Sequence, residues 1–220
     1  MKTSKKIYGI TLALMCGLAA TLKAQNIYVA NFTGSIGEYT TSGQTVNASL
    51  ISGLGYAQGV VISENSLFVT SGGTIGEYTT SGAAVNTSLV YQYDMLQGIA
   101  ILGNELYVVD SAASRISEYT TSRATINASL IFPAYNPVGI VISGNDLFVA
   151  CESWYGKAYI GEYTTSGATV NASLISGLSS PENIAIGTVP EPSAIALAGL
   201  GAAAFFARCC SHGLRVNGDA

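Results

Sequence analysis

The chain has 220 residues, of which 10% are charged, 25 are glycine and 13 are tyrosine. Between residues 25 and 207 the only basic side chains are Arg115, Arg123 and Lys157. This excludes the dense basic face that nucleic acid binding requires. Low charge combined with many Tyr, Thr, Val and Ile residues indicates strands rather than helices or disorder.

Cysteine and histidine are nearly missing from the middle of the sequence. Only Cys151 lies between residues 25 and 207, so no disulfide can form within that region. The single histidine, His212, lies in the C-terminal tail. The middle region therefore lacks the commonest general base and the commonest zinc ligand, and we expect no enzymatic activity.

Residues 1–24 have the pattern of a secretory signal peptide. Basic residues including Lys5 and Lys6 come first, an apolar run covers residues 7–20, and small Ala24 provides a cleavage site. Because the apolar run is short, cleavage after Ala24 is the preferred interpretation, and an uncleaved N-terminal anchor is the alternative.

Four copies of one motif organise the middle of the chain. Each copy reads Ile, Gly or Ser, Glu, Tyr, Thr, Thr, Ser, and the copies begin at residues 36, 75, 116 and 160. A period of about 40 residues is typical of a four-stranded propeller blade.

Each unit contains four candidate strands. An apolar run predicts an inner strand at residues 59–62, 98–101, 139–142 and 183–186. The second strands are predicted at 27–29, 67–69, 106–108 and 147–149, and the Glu-Tyr-Thr-Thr segments form the third. A Ser-Gly turn then leads into a fourth strand such as 46–50. Because Val46, Ala48 and Leu50 alternate with polar residues, we expect a half-exposed outermost strand.

The predicted fold is all-β: a β-propeller of about four four-stranded blades over residues 25–187, with repeats at 27–66, 67–105, 106–146 and 147–187. We expect residues 183–186 to join the blade formed by residues 27–51 and so to close the ring. The alternatives are an open arc and the assembly of two chains into a larger ring. The unit resembles NHL-type and YVTN-type propeller repeats across residues 27–187.

Residues 188–220 carry a second targeting pattern. Val189, Pro190, Glu191 and Pro192 precede an uncharged, mostly apolar run at residues 193–207, which predicts a transmembrane helix, and Arg208 follows. This arrangement resembles the PEP-CTERM sorting signal of Gram-negative bacteria. The tail at 209–220 departs from it, because no cluster of arginines ends the chain. A plain C-terminal membrane anchor is the alternative.

The resemblance to the sorting signal implies a route. Such proteins are exported, held in the inner membrane, processed by an exosortase-like enzyme, and delivered to the cell surface or the exopolysaccharide matrix.

Two carboxylates are the candidates for a metal site. Asp110 and Glu152 fall near the ends of equivalent second strands, and gluconolactonase-like propellers hold a metal in their channel with Glu, Asn and Asp. Calcium is the ion that a ring of the four recurrent glutamates Glu38, Glu77, Glu118 and Glu162 could hold; otherwise we expect no cofactor. The recurrent glutamates Glu38, Glu77 and their counterparts lie away from the expected channel, so we expect a structural or solvent-facing role for them.

An aromatic insertion lengthens the last repeat. Trp154, Tyr155, Lys157 and Tyr159 form a candidate binding loop, since exposed aromatic side chains on loops often bind sugars or protein partners. Local packing of a long loop is the alternative.

The sequence thus predicts an exported, membrane-tethered, non-enzymatic propeller that binds polysaccharide or a surface protein. The alternatives are a metal-dependent hydrolase of the lactonase type and a purely structural envelope protein.

Overall fold

The computed structural model describes residues 25–92, 95–133, 135–153 and 157–187. Every regular element in these ranges is a β-strand. In chain order the strands are β1 (Asn26–Asn31), β2 (Ser35–Thr40), β3 (Thr45–Ile51), β4 (Ala57–Ser63), β5 (Ser66–Ser71), β6 (Thr74–Thr79), β7 (Ala84–Tyr91), β8 (Leu96–Leu102), β9 (Glu105–Asp110), β10 (Arg115–Thr120), β11 (Thr125–Ile131), β12 (Asn136–Ser143), β13 (Asp146–Glu152), β14 (Ala158–Thr164) and β15 (Thr169–Leu178).

The strands form four antiparallel sheets of consecutive strands, as the repeats predict. The first sheet contains β1 to β3, the second β4 to β7, the third β8 to β11 and the fourth β12 to β15. Neighbours in the sequence are neighbours in each sheet, so every connection within a sheet is a hairpin. The all-β prediction is confirmed, and the arrangement is consistent with a propeller.

The turn between the third and fourth strands is built from the Thr-Thr-Ser-Gly segment. In the second sheet the Gly82 amide donates to the Thr79 carbonyl at 2.9 Å, and the Ala83 amide donates to Thr79 Oγ1 at 3.1 Å. Gly82 has a φ of 86°, a backbone region that favours glycine. Arg123 takes the same conformation in the third sheet with a φ of 83°.

The outermost strands differ from the expected alternation, which was wrong. Val46, Asn47, Ala48 and Ser49 are all exposed, and only Ile51 at the end of β3 is buried. The pairing of β2 with β3 is interrupted by a β-bulge, with register shifts on both sides of the Glu38–Asn47 pair.

The recurrent Asn-x-Ser sequence lies at this bulge. Asn47 Oδ1 accepts a hydrogen bond from the Ser49 amide at 3.0 Å. The same bond recurs at the equivalent asparagine of each outermost strand: Asn86, Asn127 and Asn171. The asparagine therefore satisfies a backbone donor that the irregular pairing leaves without a ladder partner.

The apolar core lies between successive sheets. We call the side of a sheet that meets the preceding sheet its front face, and the opposite side its back face. The front face of the second sheet carries Leu67, Val69 and Tyr78, which pack on Ile36 and Ile51 of the first sheet's back face. The pattern repeats at the two later interfaces, where the front-face residues are Leu106, Val108 and Tyr119, then Leu147, Val149 and Tyr163.

Glycine allows the inner strands to approach one another closely. A Cβ added at Gly59 would lie 2.8 Å from the Gln97 carbonyl oxygen, and one at Gly98 would lie 2.9 Å from that of Val138. A Cβ at Gly139 would lie 2.7 Å from the carbonyl oxygen of Glu182. The segment at 182–183 therefore occupies the place, relative to the fourth sheet, that an inner strand of a following sheet would take.

The expected pairing of residues 183–186 with the first sheet is absent from this structure. Residues 181–187 form no strand, and the first sheet has three strands with β1 at its edge. The physical reason is that the described arc does not bring its two ends into contact. Val29 on the front face of the first sheet is 39% exposed, whereas its counterpart Val69 is fully buried.

We expect the contact between turn and preceding sheet to be measurable by substitution. A Cβ at Gly82 would collide with the Leu50 carbonyl oxygen of the first sheet, whereas one at Gly103, which also has positive φ, meets nothing within 4 Å. Gly103→Ala should lower the free energy of unfolding by about 1 kcal/mol through backbone strain. Gly82→Ala should lower it by about 1–3 kcal/mol more, because the sheets must separate. Urea unfolding of the full chain measures both; equal losses would contradict the contact.

Candidate functional site

The inner strands surround a cleft of about 670 Å³. Its lining comes from β1, the first residues of β4, β8 and β12, the end of β13 and the segment at 182–183. The cleft is therefore assembled from all four repeats.

One repeat position supplies several of the lining side chains. The residue that precedes the inner-strand glycine is Gln58 in the second sheet, Gln97 in the third and Val138 in the fourth, and Glu182 is the corresponding residue before Asn183. Because equivalent positions meet around the same axis, these four residues lie together although they are far apart in sequence. The repeats differ at this position while they agree closely elsewhere.

The polar groups of the cleft are amides and carboxylates. Glu152 and Asn183 join the glutamines and Glu182 in the lining. The amide oxygen of Gln58 is buried and has no hydrogen-bond partner in the described part of the chain. Such a set can accept hydrogen bonds from hydroxyl or amine groups and donate through its amides, which suits a polyhydroxylated ligand.

Two aromatic residues contribute to the lining of the cleft. Tyr28 and Phe32 line it, and the ring of Phe32 lies 4.8 Å from that of Tyr56 with an interplanar angle of 30°. The Tyr28 hydroxyl donates to Glu38 at 3.2 Å. Burial, followed by the charge of Glu38, raises the pKa of Tyr28, so this side chain stays a neutral donor at neutral pH.

The structure separates the two predicted metal ligands. Asp110 is fully buried, pairs with Arg115 at 2.6 Å and accepts a hydrogen bond from the Ala113 amide at 3.0 Å. Glu152 lines the cleft. In the alignment of the repeats Asp110 corresponds to buried Cys151, one residue before Glu152. Successive residues of a strand point to opposite faces, so the two carboxylates face different surroundings.

Sequence reasoning missed the role of Arg115. It is the cross-strand neighbour of Asp110 in the β9–β10 hairpin. Aligning the two strands of that hairpin in the sequence would have placed Arg115 opposite Asp110. Among the residues that the structure describes, no group of three or more His, Cys, Asp or Glu side chains is placed to hold a metal ion.

The predicted binding loop falls only partly on described residues. Trp154 and Tyr155 lie outside them, and Lys157 is exposed. Tyr159 is buried on β14, and its ring lies 5.8 Å from that of Tyr135 at an angle of 64°. For Tyr159 the structure therefore agrees with the alternative of local packing, because β14 directs this side chain into the core between the third and fourth sheets.

The recurrent glutamates bond within their own sheets. Glu38 accepts a hydrogen bond from Asn26 at 2.6 Å, and Glu77 accepts one from Ser66 at 3.0 Å. Glu118 accepts one from the Tyr107 hydroxyl at 3.4 Å. In each sheet the bond joins the strand that carries the Glu-Tyr-Thr-Thr segment to the strand that precedes it. These three carboxylates therefore stabilise the hairpins that the two strands form.

The third sheet adds a second carboxylate to this arrangement. The Tyr107 hydroxyl also donates to Glu105 at 3.0 Å, so Glu105 and Glu118 share one donor. Burial, followed by the charge of Glu105, raises the pKa of Glu118. The negative charge of Glu105 makes ionisation of the partly buried Glu118 less favourable.

Fold and cleft together define an all-β repeat protein of the propeller type with an amide-rich and acid-rich central cleft. The chain also carries a PEP-CTERM protein-sorting motif, which is matched at residues 188–209. This confirms the resemblance that the Pro-Glu-Pro segment predicted, and the motif implies export and sorting by an exosortase-type enzyme. No curated protein sequence matches the chain.

Solved structures with a similar fold include natural and designed proteins. A catalytically inactive virginiamycin B lyase from Staphylococcus aureus, crystallised with quinupristin, is 22% identical with a TM-score of 0.54 over 73% of this chain and 54% of that one. A chain of a nidogen/laminin complex is 18% identical with a TM-score of 0.55 over 66% and 59%. The computationally designed Ika8 protein is 11% identical with a TM-score of 0.52 over 76% and 51%.

These likenesses concern the fold. The chain spans between 51% and 59% of the length of these three structures, so its four sheets correspond to little more than half of each. The natural neighbours have propeller-like folds, which supports the same architecture for the repeats here.

The sorting motif residues Val189, Pro190, Glu191 and Pro192 lie outside the described residues, as do the predicted signal peptide and the apolar run at 193–207. Over the four described ranges, no helix has the length and apolar character needed to cross a membrane.

The Glu105–Glu118 pair predicts an unusual pH dependence. Since the pKa of Glu118 is raised in the folded state, its contribution to stability is greatest below its pKa in the unfolded chain and is lost as pH rises through the folded pKa. The Glu118→Gln variant has no carboxyl group at this site and therefore does not lose this contribution as pH rises. The difference between its free energy of unfolding and that of the unchanged chain should therefore shift in favour of the variant between pH 4 and pH 7. Urea unfolding across that range measures the difference.

Glu77→Gln is the matched control, since its second-strand partner is Ser66 rather than a carboxylate. It should lose stability at pH 7, because the neutral amide oxygen of glutamine accepts a weaker hydrogen bond from Ser66 than the carboxylate does. A Glu118→Gln variant that loses as much stability as Glu77→Gln at pH 7 would contradict the analysis.

Proposed function

We propose that this protein is exported and sorted to the cell surface or the exopolysaccharide matrix, and that it binds polysaccharide there without catalysing a reaction. The route rests on the sorting motif at residues 188–209. In this proposal residues 1–24 are a cleaved signal peptide, and residues 193–207 hold the chain in the inner membrane of a Gram-negative bacterium until an exosortase-like enzyme processes it.

The binding role rests on the cleft. Its polar groups come from Gln58, Gln97, Asn183 and two carboxylates, and the aromatic residues Tyr28 and Phe32 also line it. Sugars present several hydroxyl groups around an apolar ring face, so amides, carboxylates and aromatic rings in one cleft complement them. An acidic cleft favours neutral or amine-bearing sugars over acidic ones.

The proposal of a non-enzymatic role rests on the kind of side chain in the lining. Its ionisable side chains are Tyr28, Glu152 and Glu182, and the chain's one histidine is at position 212, beyond the repeats. Amides and carboxylates can recognise hydroxyl groups by hydrogen bonding alone.

A metal-dependent hydrolase of the lactonase type is the alternative, and the presence of Glu152 and Glu182 in one cleft is the observation in its favour. Calcium would be the ion, held by these oxygens. Metal analysis and lactone hydrolysis assays on the purified chain with added calcium separate this alternative from binding. A purely structural envelope role would give neither metal binding nor glycan binding.

Binding in the cleft predicts a specific pattern of variants. Gln97→Ala and Glu152→Gln should each weaken binding of the best polysaccharide on a glycan array by about 5- to 30-fold, which corresponds to the loss of one buried hydrogen bond or charge-assisted hydrogen bond. Titration calorimetry with that glycan provides the measurement.

Gln44→Ala is the control, because Gln44 is an exposed turn residue outside the cleft lining. It should bind as the unchanged chain does. If Gln97→Ala and Gln44→Ala bind equally well, the ligand does not occupy the cleft.

The proposed route predicts two trimmed ends. Mass spectrometry of protein recovered from the surface of a producing cell should give an N-terminus at Gln25 and a C-terminus near the Pro190–Pro192 segment. Replacement of Pro190 and Pro192 by alanine should leave the N-terminal cut unchanged and cause the C-terminal tail to be retained. Recovery of surface protein that still carries Met1 or Ala220 would contradict the route.

A further inference from the structure

The two ends of the described arc carry complementary apolar surfaces. At each of the three interfaces between sheets, the front face of the later sheet covers the back face of the earlier one. This leaves one front face, on the first sheet, and one back face, on the fourth sheet, without a partner sheet in the described structure.

The front face of the first sheet carries the same kinds of residue as the front faces that are covered by another sheet, but its residues are more exposed. Ile27, Val29 and Tyr39 correspond to Leu67, Val69 and Tyr78 of the second sheet. Ile27 is 46% exposed, whereas Leu67 is fully buried. The turn residue Gly43 has open space where a Cβ would point, whereas Gly82 and Gly167 lie against the preceding sheet.

The back face of the fourth sheet is open at its outer half. Ile175 is 48% exposed, whereas its counterpart Ile51 in the first sheet is 5% exposed, and Leu174 is exposed beside it. The inner half is covered by Leu178 and Ile184 of the same chain. The exposed half therefore has the shape and composition of a surface that receives a front-face tyrosine elsewhere in the molecule.

An unused inner strand accompanies this open back face. The segment at 183–186 follows the fourth sheet in the position of a next inner strand, and Ile186 is 46% exposed. The first sheet is the one that lacks an inner strand. In the second sheet Ile62 pairs with Leu67 and Val60 with Val69. The same register would pair Ile186 with residue 27 and Ile184 with residue 29.

We propose that a second copy of this chain covers both open faces. The front face of each copy packs on the back face of the other, and residues 183–186 of each copy complete the first sheet of the other as its inner strand. The result is a two-fold symmetric ring of eight sheets. Interfaces between unlike surfaces close into a ring when the rotation per subunit permits it, and each chain supplies little more than half of the length of the matched propeller-like structures.

Cross-linking between differently tagged chains tests the pairing. The tagged chains carry the substitutions Cys16→Ser, Cys209→Ser and Cys210→Ser. They keep Cys151, which is fully buried and whose thiol pKa is raised to about 11 by that burial. One tagged chain carries Ile27→Cys and the other Ile186→Cys, and both are treated with a short bismaleimide. We expect a cross-linked product that contains both tags.

Ile126→Cys is the control for Ile186→Cys, because Ile126 is equally exposed but lies on the outermost strand of the third sheet. It should give no product with Ile27→Cys. A chain with both Ile27→Cys and Ile186→Cys should form a doubly linked dimer. A cross-link within a single chain would overturn the proposal in favour of a closed four-sheet ring, and a ladder beyond dimers would overturn it in favour of a filament.

The back-face contact has its own matched pair of variants on β15. Ile175→Glu places a charge on the surface that the second copy would bury, and should weaken association of the full chain by at least about tenfold. Val170→Glu places the same charge at a position whose counterparts Val46 and Val85 are exposed in other sheets, and should leave association unchanged. Native mass spectrometry in mild detergent over a concentration series measures both. A monomeric unchanged chain, or equal effects of the two variants, would overturn the proposal.

Discussion

Packing of one sheet on the next is the interaction on which the molecule depends. With one cysteine in the repeats, no disulfide can hold the sheets. Each interface instead buries two aliphatic residues and a tyrosine from one sheet against isoleucine and leucine residues of its neighbour. Full burial of one such side chain stabilises by about 1.5–3 kcal/mol. Three interfaces of this kind keep four otherwise marginal sheets together.

The same packing places the cleft. Sheets stacked face to face bring their inner strands together, and the glycines at the start of those strands let the backbones approach closely. The residue before each glycine then reaches the cleft, and this position varies between repeats whereas the packing residues do not. The residues that pack the sheets together and the residues that line the cleft thus occupy different positions of the same repeated unit.

Much of the fold could be predicted from the sequence because its determinants are local. Alternating apolar residues, Thr-Thr-Ser-Gly turns and a period near 40 residues fix the strands and their hairpins. Closure could not be predicted this way. Residues 183–186 read like any other inner strand, but whether they pair with β1 depends on the angles accumulated over three sheet interfaces, which no local pattern records.

The candidate site was harder to predict than the fold. Glu152 was identified from its place near the end of a strand, and the structure puts it in the cleft. Asp110 appeared equivalent to Glu152, but in the alignment of the repeats it lies one residue earlier on its strand. Its side chain therefore points into the core, where it pairs with Arg115. Gln58 and Gln97 could not be identified as cleft residues, because a glutamine before a glycine is not a recognisable motif. Only the assembled sheets bring these two side chains together. Tyr159 read as a loop residue although the strand that it belongs to begins at Ala158.

The asparagine bulges of the outermost strands have a further consequence for a chain of near-identical repeats. The unpaired edge of such a strand could pair with a strand of another copy of the chain, because the repeats have nearly the same sequence. Each bulge interrupts the regular ladder, so the outermost strand is a poor template for pairing with another chain. A protein delivered to a crowded surface can in this way keep its repeats alike and still resist β-aggregation through its outer edges.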